Sequence, residues 1–271
     1  MPAFTMDRRK LIYAGPTCAS VPHELIAKAG FELLPPAQRG DIPKVLSGPP
    51  GIIVLVDGRF HQSLAVGHAE LRSALDLGWE LWGLSSMGAI RAFEMRHLGM
   101  RAFGRVYEFF LGEEDFQDDE VALLHAPVFP YFGITEPLIH LRHFVFQLER
   151  ADVITLAQAR TVVRKLKRLW YGERTRKLTL ELVSSVAGDS AMTIARAMSA
   201  DFRPFEVKVL DLTTFLAESV WESASYAPIP ALAPYSEVGL HAPMSDSVPN
   251  SPVNVHGVNI AASSPNSEIR T

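Results

Sequence analysis

The stretch from Ser85 to Gly88, Ser-Ser-Met-Gly, combines residue types that can bind or attack an acyl group. Before it, Leu81 to Leu84 is short and apolar, which predicts a buried strand; after it, Ala89 to Met95 is rich in helix formers. A serine before a helix can cap its first N–H groups, and a glycine lets the chain turn sharply. This order therefore predicts an anion or oxyanion site at a helix N-terminus.

Two interpretations of this stretch stay open. The spacing of Ser86 and Gly88 is similar to the nucleophile elbow of hydrolases, but Leu84 stands where the Gly-x-Ser-x-Gly pattern has its first glycine. The alternative is a capped helix that follows a core strand and has no catalytic role.

Three strand–helix units precede this stretch and predict the fold. The strands are expected at Lys10 to Ala14, from Phe31 to the prolines at 35 and 36, and at Gly51 to Asp57, the clearest of them. The helices that follow them are predicted at Val21 to Ala29 with Thr17 as a possible cap, Ile42 to Leu46 and Leu64 to Leu77. Such alternation indicates an α/β fold with a doubly wound, mostly parallel, Rossmann-like sheet.

Ligands of doubly wound sheets bind outside the carboxyl ends of the strands. Gly15-Pro16-Thr17, Asp57-Gly58 and Ser85 to Gly88 all fall at that edge, although they lie far apart in the sequence. Their convergence is the main indication of a site that the residues themselves provide.

The rest of the chain is predicted to be mainly helical. His97 to Gly104 is expected to be a glycine-punctuated turn, and helices are expected at Arg105 to Leu111, Thr135 to Glu149, Thr155 to Trp170, Leu178 to Met198 and Asp211 to Ser223. From Ala227 the composition turns to Pro, Ser, Asn and Ala, which predicts a disordered tail. We therefore predict an α/β core over 1–154, a helical region over 155–226 and a tail over 227–271.

Two charge clusters are first interpreted as exposed to solvent, the acidic one as a loop and the basic one as a helix face. The acidic run Glu113 to Glu120 could instead bind a divalent metal or a basic partner. The basic cluster Arg164 to Arg168 could steer encounter with an acidic partner.

Composition excludes several classes of protein. The 271 residues carry a net charge of -4, which argues against a general nucleic-acid binder. Cys18 is the single cysteine, so an intramolecular disulfide or a cysteine metal cluster is excluded. No signal peptide or membrane span is visible in the sequence, and a cytoplasmic setting is expected. An unrelated small-molecule hydrolase or nucleotide-binding α/β protein is disfavoured, because Gly-x-Gly-x-x-Gly and Walker patterns are absent and the Gly-x-Ser-x-Gly pattern is not met. No cofactor or site metal is expected.

An ordered set of motifs over Lys10 to Ile154 resembles the TfuA family. Any one motif is weak, but their order and spacing together are specific. They are Gly15-Pro16-Thr17, Leu34 to Asp41, Ile53 to Phe60, His68-Ala69-Glu70, Ser86 to Ala89, Arg91 to Glu94, Gly99-Met100, Gly104-Arg105, Asp118 to Val121 and, more loosely, Glu136 to Arg142.

This resemblance implies work beside a YcaO-type, ATP-dependent enzyme that installs backbone thioamides in ribosomally made peptides or proteins, including antibiotic natural products of the RiPP class. The protein is expected to hydrolyse the C-terminal thiocarboxylate of a ThiS-like sulfur carrier and to pass sulfide to the YcaO enzyme. Nucleic acid and membrane are not expected as partners. The alternative is a non-catalytic adaptor that recruits or activates the YcaO enzyme.

Under this resemblance four residues are expected to be catalytic. Ser86 is the candidate nucleophile or oxyanion donor, and His68 is the candidate general base because imidazole exchanges protons near neutral pH. Asp57 is expected to orient His68 or to hold water, and Arg91 to clamp the carboxyl terminus of the carrier. The residues expected to bind substrate are Gly15, Thr17, Gly58, Glu70, Met87 and Gly88, with the backbone of the last two assisting the oxyanion.

Two positions depart from the family pattern. Ala69 stands where lysine is common, which favours the adaptor if that lysine holds the thiocarboxylate or the partner. Thr17 replaces the usual serine but keeps the hydroxyl. Each catalytic candidate also has a plain structural alternative: a helix cap for Ser86, a satisfied helix histidine for His68, a strand-end turn residue for Asp57 and a surface partner of Glu94 for Arg91.

Overall fold

A parallel β-sheet organises the N-terminal half of the computed structural model, which describes residues 8–59, 63–112 and 117–223. Within these ranges, five parallel strands lie in the order β2-β1-β3-β4-β5. They are β1 (Lys10–Tyr13), β2 (Glu32–Leu34), β3 (Ile52–Leu55), β4 (Glu80–Leu84) and β5 (Arg101–Phe103). This arrangement confirms the predicted doubly wound α/β fold.

The central strand β3 forms because its residues are branched and apolar. All four of its residues are buried, as expected for a parallel strand covered on both faces. Ile53 pairs with Leu11 of β1 on one side and with Leu81 of β4 on the other. The order of strands reverses between β1 and β3, so the carboxyl ends of these two strands define the crevice in which such folds bind ligands.

Helices cover both faces of the sheet. On one face lie α2 (Asp41–Val45), α3 (His68–Asp76), α4 (Met87–Glu94) and α5 (Arg105–Gly112), which share an apolar core with the sheet. On the other face lie α1 (His23–Lys28) and α10 (Val207–Ala217). Helix α10 thus joins the α/β core, although it comes from the far end of the described chain.

A helical layer with its own apolar core follows the sheet in sequence. It contains α6 (Leu138–Arg150), α7 (Leu156–Lys167), α8 (Arg176–Ala187) and α9 (Asp189–Met198). The sequence predicted one helix from Leu178 to Met198, but Gly188 has a φ of 88° and separates α8 from α9. Thr155 caps α7 through its side chain, which accepts a hydrogen bond from the N–H of Gln158.

Three further local predictions were wrong. The segment from His97 to Gly104 contains β5 and is not only a turn. Helix α3 begins at His68, four residues after the predicted start at Leu64, because Gly67 is its N-cap. Thr17 does not cap α1, whose N-cap is Pro22; it lies in a short 3-10 turn over Pro16–Ser20.

The described residues contain no helix long and apolar enough to cross a membrane. The predicted tail over 227–271 lies outside the described residues. The domain boundaries stay a prediction, with the added fact that α10 packs on the sheet.

Candidate functional site

Asp57, just beyond β3, connects the carboxyl ends of β1 and β3. Its Oδ2 accepts the N–H of Gly15 at 2.8 Å and the N–H of Thr17 at 2.9 Å. Its Oδ1 accepts the hydroxyl of Thr17 at 2.7 Å. Asp57 and Thr17 are 2% and 3% exposed, so these bonds form out of water, where they are strong. Three of the predicted residues therefore meet at the reversal point of the sheet.

Lys208 of α10 lies beside this carboxylate. Its Nζ is 3.8 Å from Asp57 Oδ1 and donates to the carbonyl oxygen of Val121 at 3.1 Å. Burial lowers the pKa of Lys208, whereas the charges of Asp57 and Glu136 act in the opposite direction. An ammonium group has three donors, so Lys208 can still donate toward a ligand.

The backbone of Lys208 also joins two other elements to this edge. Its N–H donates to His140 Nε2 at 3.2 Å, and its carbonyl accepts the hydroxyl of Ser85 at 2.8 Å. Since Nε2 of His140 is an acceptor, its Nδ1 carries the proton that faces Glu136 Oε2, 3.3 Å away. Burial lowers the pKa of His140, which favours this neutral form.

The serine-glycine turn after β4 packs tightly on β3. Ser85 has a φ of 66°, a left-handed conformation that a non-glycine residue rarely adopts. Ser86 is the N-cap of α4 as predicted, but its side chain makes no capping bond and it is 2% exposed. The N–H of Gly88 donates to the carbonyl of Val56 at 3.0 Å, so this predicted oxyanion donor already has an acceptor.

Close packing explains why glycine stands at positions 58 and 88. A Cβ at Gly58 would lie 2.1 Å from the sulfur of Met87, and one at Gly88 would lie 1.7 Å from the carbonyl oxygen of Leu55. The glycines let α4 approach β3. In this structure Gly58, Met87 and Gly88 thus form a packing contact, and their role in binding substrate stays a prediction.

His68 and Arg91 meet on the carboxylate of Glu94. His68 Nε2 lies 2.8 Å and Arg91 Nη1 lies 2.6 Å from Glu94 Oε2, while Arg91 Nε donates to the carbonyl of Val66 at 2.9 Å. The His68 side chain is 54% exposed. Its carboxylate partner is therefore Glu94, and Asp57 is bonded instead to the loop after β1.

Glu70 stabilises the start of α3. Its Oε1 accepts the N–H of Gly67 at 2.7 Å, which is the half of a capping box that a glycine N-cap permits. Its Oε2 accepts the N–H of Gly40 at 2.9 Å and so ties the loop before α2 to α3.

A cavity of about 220 Å³ opens beside Thr17 and Lys208. Its walls come from the 3-10 turn over 16–20, from the loop over 123–137 and from helices α6, α8 and α10. It lies next to the reversal point of the sheet, where ligands of this fold class bind.

The polar wall of this cavity contains two glutamates bridged by an arginine. Arg176 Nη2 lies 2.6 Å from Glu136 Oε1 and 3.4 Å from Glu206 Oε1. Burial opposes ionisation of Glu136, but the hydrogen bond from His140 and the charge and hydrogen bond of Arg176 outweigh it, and the pKa of Glu136 is lowered. Burial and the charge of Glu136 raise the pKa of Glu206. Neighbouring carboxylates with opposite pKa shifts are suited to different roles in proton transfer.

The acidic run is not simply a solvated loop. Asp119 binds Arg174 at 2.6 Å, and Glu120, which is 2% exposed, binds Arg142 at 2.8 Å. Within the described ranges no group of three or more His, Cys, Asp or Glu side chains could hold a metal ion. Residues 113–116 of the run lie outside those ranges.

Among the predicted residues, the structure brings two groups together. Gly15, Thr17 and Asp57 lie at the buried edge, and His68 and Arg91 lie at the Glu94 cluster. Other residues complete the buried edge and its cavity. Sequence reasoning placed Ser85 at this edge and Glu136 and His140 in a family motif but gave them no role, and it missed Arg176, Glu206 and Lys208. One weak signal was present, since a lysine and an aspartate three positions apart interrupt the apolar run from Val207 to Leu212.

Comparison with known proteins gives one family match. A family model described as TfuA-like protein matches residues 57–175. No curated protein matches the chain. The match begins at Asp57 and continues past Ile154, where the sequence resemblance was expected to end; the motifs before Asp57 lie outside it. This match supports the assignment of the chain as a TfuA-like protein.

Proposed function

We propose that this protein hydrolyses the C-terminal thiocarboxylate of a ThiS-like sulfur carrier. The sulfide that is released passes to a YcaO-type enzyme, which uses it to form backbone thioamides in ribosomally made peptides. TfuA-like proteins are associated with YcaO-type partners and with thioamide formation, and the family match is the background of the proposal.

One structural observation carries the proposal. Thr17, Asp57 and Lys208 converge at the reversal point of the sheet, beside a cavity lined by ionisable groups. A cation on the wall of a pocket can stabilise the negative charge that develops when an acyl carbon is attacked. Ser86, His68, Asp57 and Arg91 are the catalytic candidates that the sequence proposes, and each is to be tested by substitution.

The reaction is tested on a ThiS-like carrier prepared with a C-terminal thiocarboxylate. Intact-mass spectrometry follows replacement of the terminal sulfur by oxygen, and a colorimetric assay follows sulfide. The carrier is incubated with this protein alone, with the YcaO enzyme alone and with both. We expect conversion that requires this protein; an unchanged carrier in every mixture would refute the hydrolase.

The Ser86→Ala variant in the same assay tests the predicted nucleophile. Ser73→Ala is a matched control, because Ser73 is exposed on α3 and donates its hydroxyl only to the backbone carbonyl of Ala69. Loss of turnover in Ser86→Ala alone would place the reaction at the turn after β4. Equal turnover in the two variants would exclude Ser86 as the nucleophile.

An adaptor is the second candidate function. Two observations favour it: Ala69 replaces the common lysine, and the N–H of Gly88 is bonded to Val56. An adaptor raises thioamide formation by the YcaO enzyme supplied with free sulfide and leaves the carrier thiocarboxylate intact. A hydrolase is dispensable once free sulfide is supplied. Thioamide formation with free sulfide, measured with and without this protein, therefore distinguishes the two functions.

A further inference from the structure

The cavity beside Lys208 contains a buried carboxylate oxygen without a partner. Glu206 Oε2 is inaccessible to solvent and has no hydrogen-bond partner among the described residues. The other oxygen of Glu206 lies 3.4 Å from Arg176 Nη2. A buried polar atom left unpaired costs stability, which makes it a good place to look for a ligand or a reaction.

Glu136 and Glu206 differ in how readily they keep a proton. Glu136 is bound by Arg176 at 2.6 Å and faces the Nδ1 proton of His140, so it is held as a carboxylate. Among the described residues, the Glu206 carboxylate has only the longer contact to Arg176, and it stands beside the charge of Glu136. A carboxyl group in this setting keeps its proton more readily than Glu136 does.

We infer that this cavity takes a C-terminal thiocarboxylate and that Glu206 exchanges protons between the attacking water and the departing sulfur. Lys208 faces the oxygen that becomes negatively charged. The inference rests on the proposed function and assigns its chemistry to the cavity, whereas the sequence assigned it to Ser86.

The atoms balance without any further reactant. The carboxyl group of Glu206 donates its proton to the sulfur, and the attacking water gives a proton back to the Glu206 carboxylate as its oxygen bonds to the carbonyl carbon. The C–S bond then breaks and releases hydrosulfide. The other product is the carboxylic acid of the carrier, which ionises in water.

An anionic tail suits this wall for two reasons. Arg176 and Lys208 offer positive charge on the cavity wall, and the Arg176 side chain is 45% exposed, so it can be reached from solvent. A bound anion also adds to the negative charge of Glu136 near Glu206. It therefore keeps Glu206 protonated while the substrate is present.

The Glu206→Gln variant tests the inference. It keeps the size and shape of the side chain and removes the exchangeable carboxyl proton, so we expect turnover of the carrier thiocarboxylate to fall by about 100-fold. Glu218→Gln is the matched control, because Glu218 is exposed at the other end of α10. Circular dichroism and thermal unfolding show whether both variants fold like the wild type.

The pH profile supplies a readout that a structural role would not change. Glu206 is faced by Glu136, Arg176, Asp201 and Arg203. We expect the wild-type rate to fall at high pH as Glu206 loses its proton, and this limb of the profile to disappear in Glu206→Gln.

Two outcomes would overturn the inference, and they are distinguishable. Turnover in Glu206→Gln equal to that in Glu218→Gln, with an active wild type, would refute the role of the cavity and leave the hydrolase function intact. A wild type that leaves the carrier unchanged, with and without the YcaO enzyme, would refute the proposed function and this inference together.

Discussion

Thr17 and Asp57 are 40 residues apart in sequence, yet the hydroxyl of Thr17 donates to Asp57 Oδ1 at 2.7 Å and its N–H donates to Oδ2 at 2.9 Å. The two residues fasten the loop after β1 to the end of β3. This connection holds the 3-10 turn that forms one wall of the cavity.

Thr17→Val tests the strength of this connection. It removes the hydroxyl donor but keeps the shape, so the buried Asp57 carboxylate loses one charged hydrogen bond. We expect the free energy of unfolding to fall by about 2 kcal/mol in urea denaturation. Thr17→Ser keeps the donor and is expected to lose less than half as much; equal losses would show that the hydroxyl is not the cause.

Gly88→Ala tests the close packing of α4 on β3. The new Cβ would lie 1.7 Å from the carbonyl oxygen of Leu55, and this backbone atom can move only with its strand. We expect a loss of about 3 kcal/mol, the upper end for overpacking, in urea denaturation.

Gly58→Ala is the comparison variant at the same edge. Its Cβ would meet the sulfur of Met87 at 2.1 Å, and a methionine side chain can adopt another rotamer. We expect Gly58→Ala to lose clearly less unfolding free energy than Gly88→Ala. A similar loss in the two variants would contradict the distinction between a rigid backbone neighbour and a flexible one.

The scaffold of the site was largely predictable, because it depends on local patterns. The four strands β1 to β4 each coincide with an apolar segment, and their alternation with helices indicated the doubly wound sheet. The fifth strand was missed because Arg101–Phe103 has only three residues and lies in a short segment between Gly99 and Gly104, so no alternation is visible.

The cavity could not be predicted in this way. Its polar wall is assembled from α8 and from the starts of α6 and α10 with the residues just before them. Nothing in the local sequence indicates that α10 returns to the sheet. The prediction for Thr17 was wrong for a related reason: a helix cap is a local interaction, whereas its true partner, Asp57, comes from another strand. The acidic run is similar: its charge density favours a solvated loop, because its partners, Arg142 and Arg174, are also distant in sequence.

Arg174→Met tests a buried guanidinium. Arg174 is fully buried and donates to the carbonyl oxygens of Leu166 at 3.2 Å and Asp119 at 2.8 Å, and to the Asp119 carboxylate at 2.6 Å. Methionine fills part of the space but leaves these acceptors unpaired. We expect a loss of about 3 kcal/mol in the free energy of unfolding.

The matched control for this variant is Arg168→Met, at an exposed arginine just beyond α7. It should change stability by less than about 0.5 kcal/mol. If the two variants were equally stable, the buried contacts of Arg174 would not stabilise the fold.

Asp211 makes stability depend on pH. Its carboxylate accepts the N–H groups of Arg105 and Val106 at the start of α5, and burial raises its pKa to about 7 despite these bonds. The native protein therefore keeps a proton on Asp211 over a pH range in which the unfolded chain has lost it. The contribution to stability is fully present below the unfolded pKa and is lost as the pH rises toward 7, by at most about 1.4 kcal/mol per pH unit.

Asp211→Asn removes this titration. We expect the unfolding free energy of the wild type, relative to that of the variant, to fall as the pH rises from about 4 to 7. Urea denaturation at a series of pH values measures it, with Asp76→Asn as a control at an exposed aspartate of α3. A difference that stays constant over this range would show that Asp211 does not retain a proton in the native state.

Glu94→Gln tests whether the chemistry depends on His68 and Arg91, the two residues that meet at Glu94. Glu94 holds His68 at 2.8 Å and Arg91 at 2.6 Å, so its neutralisation releases both without touching the cavity. Because the His68 side chain is 54% exposed, the pair contributes little, and we expect stability to change by less than about 1 kcal/mol. If the chemistry occurs beside Glu206, turnover of the carrier thiocarboxylate stays close to the wild-type rate in the intact-mass assay. A loss of turnover as large as that in Glu206→Gln, in a variant with unchanged stability, would return the catalytic role to His68 and Arg91.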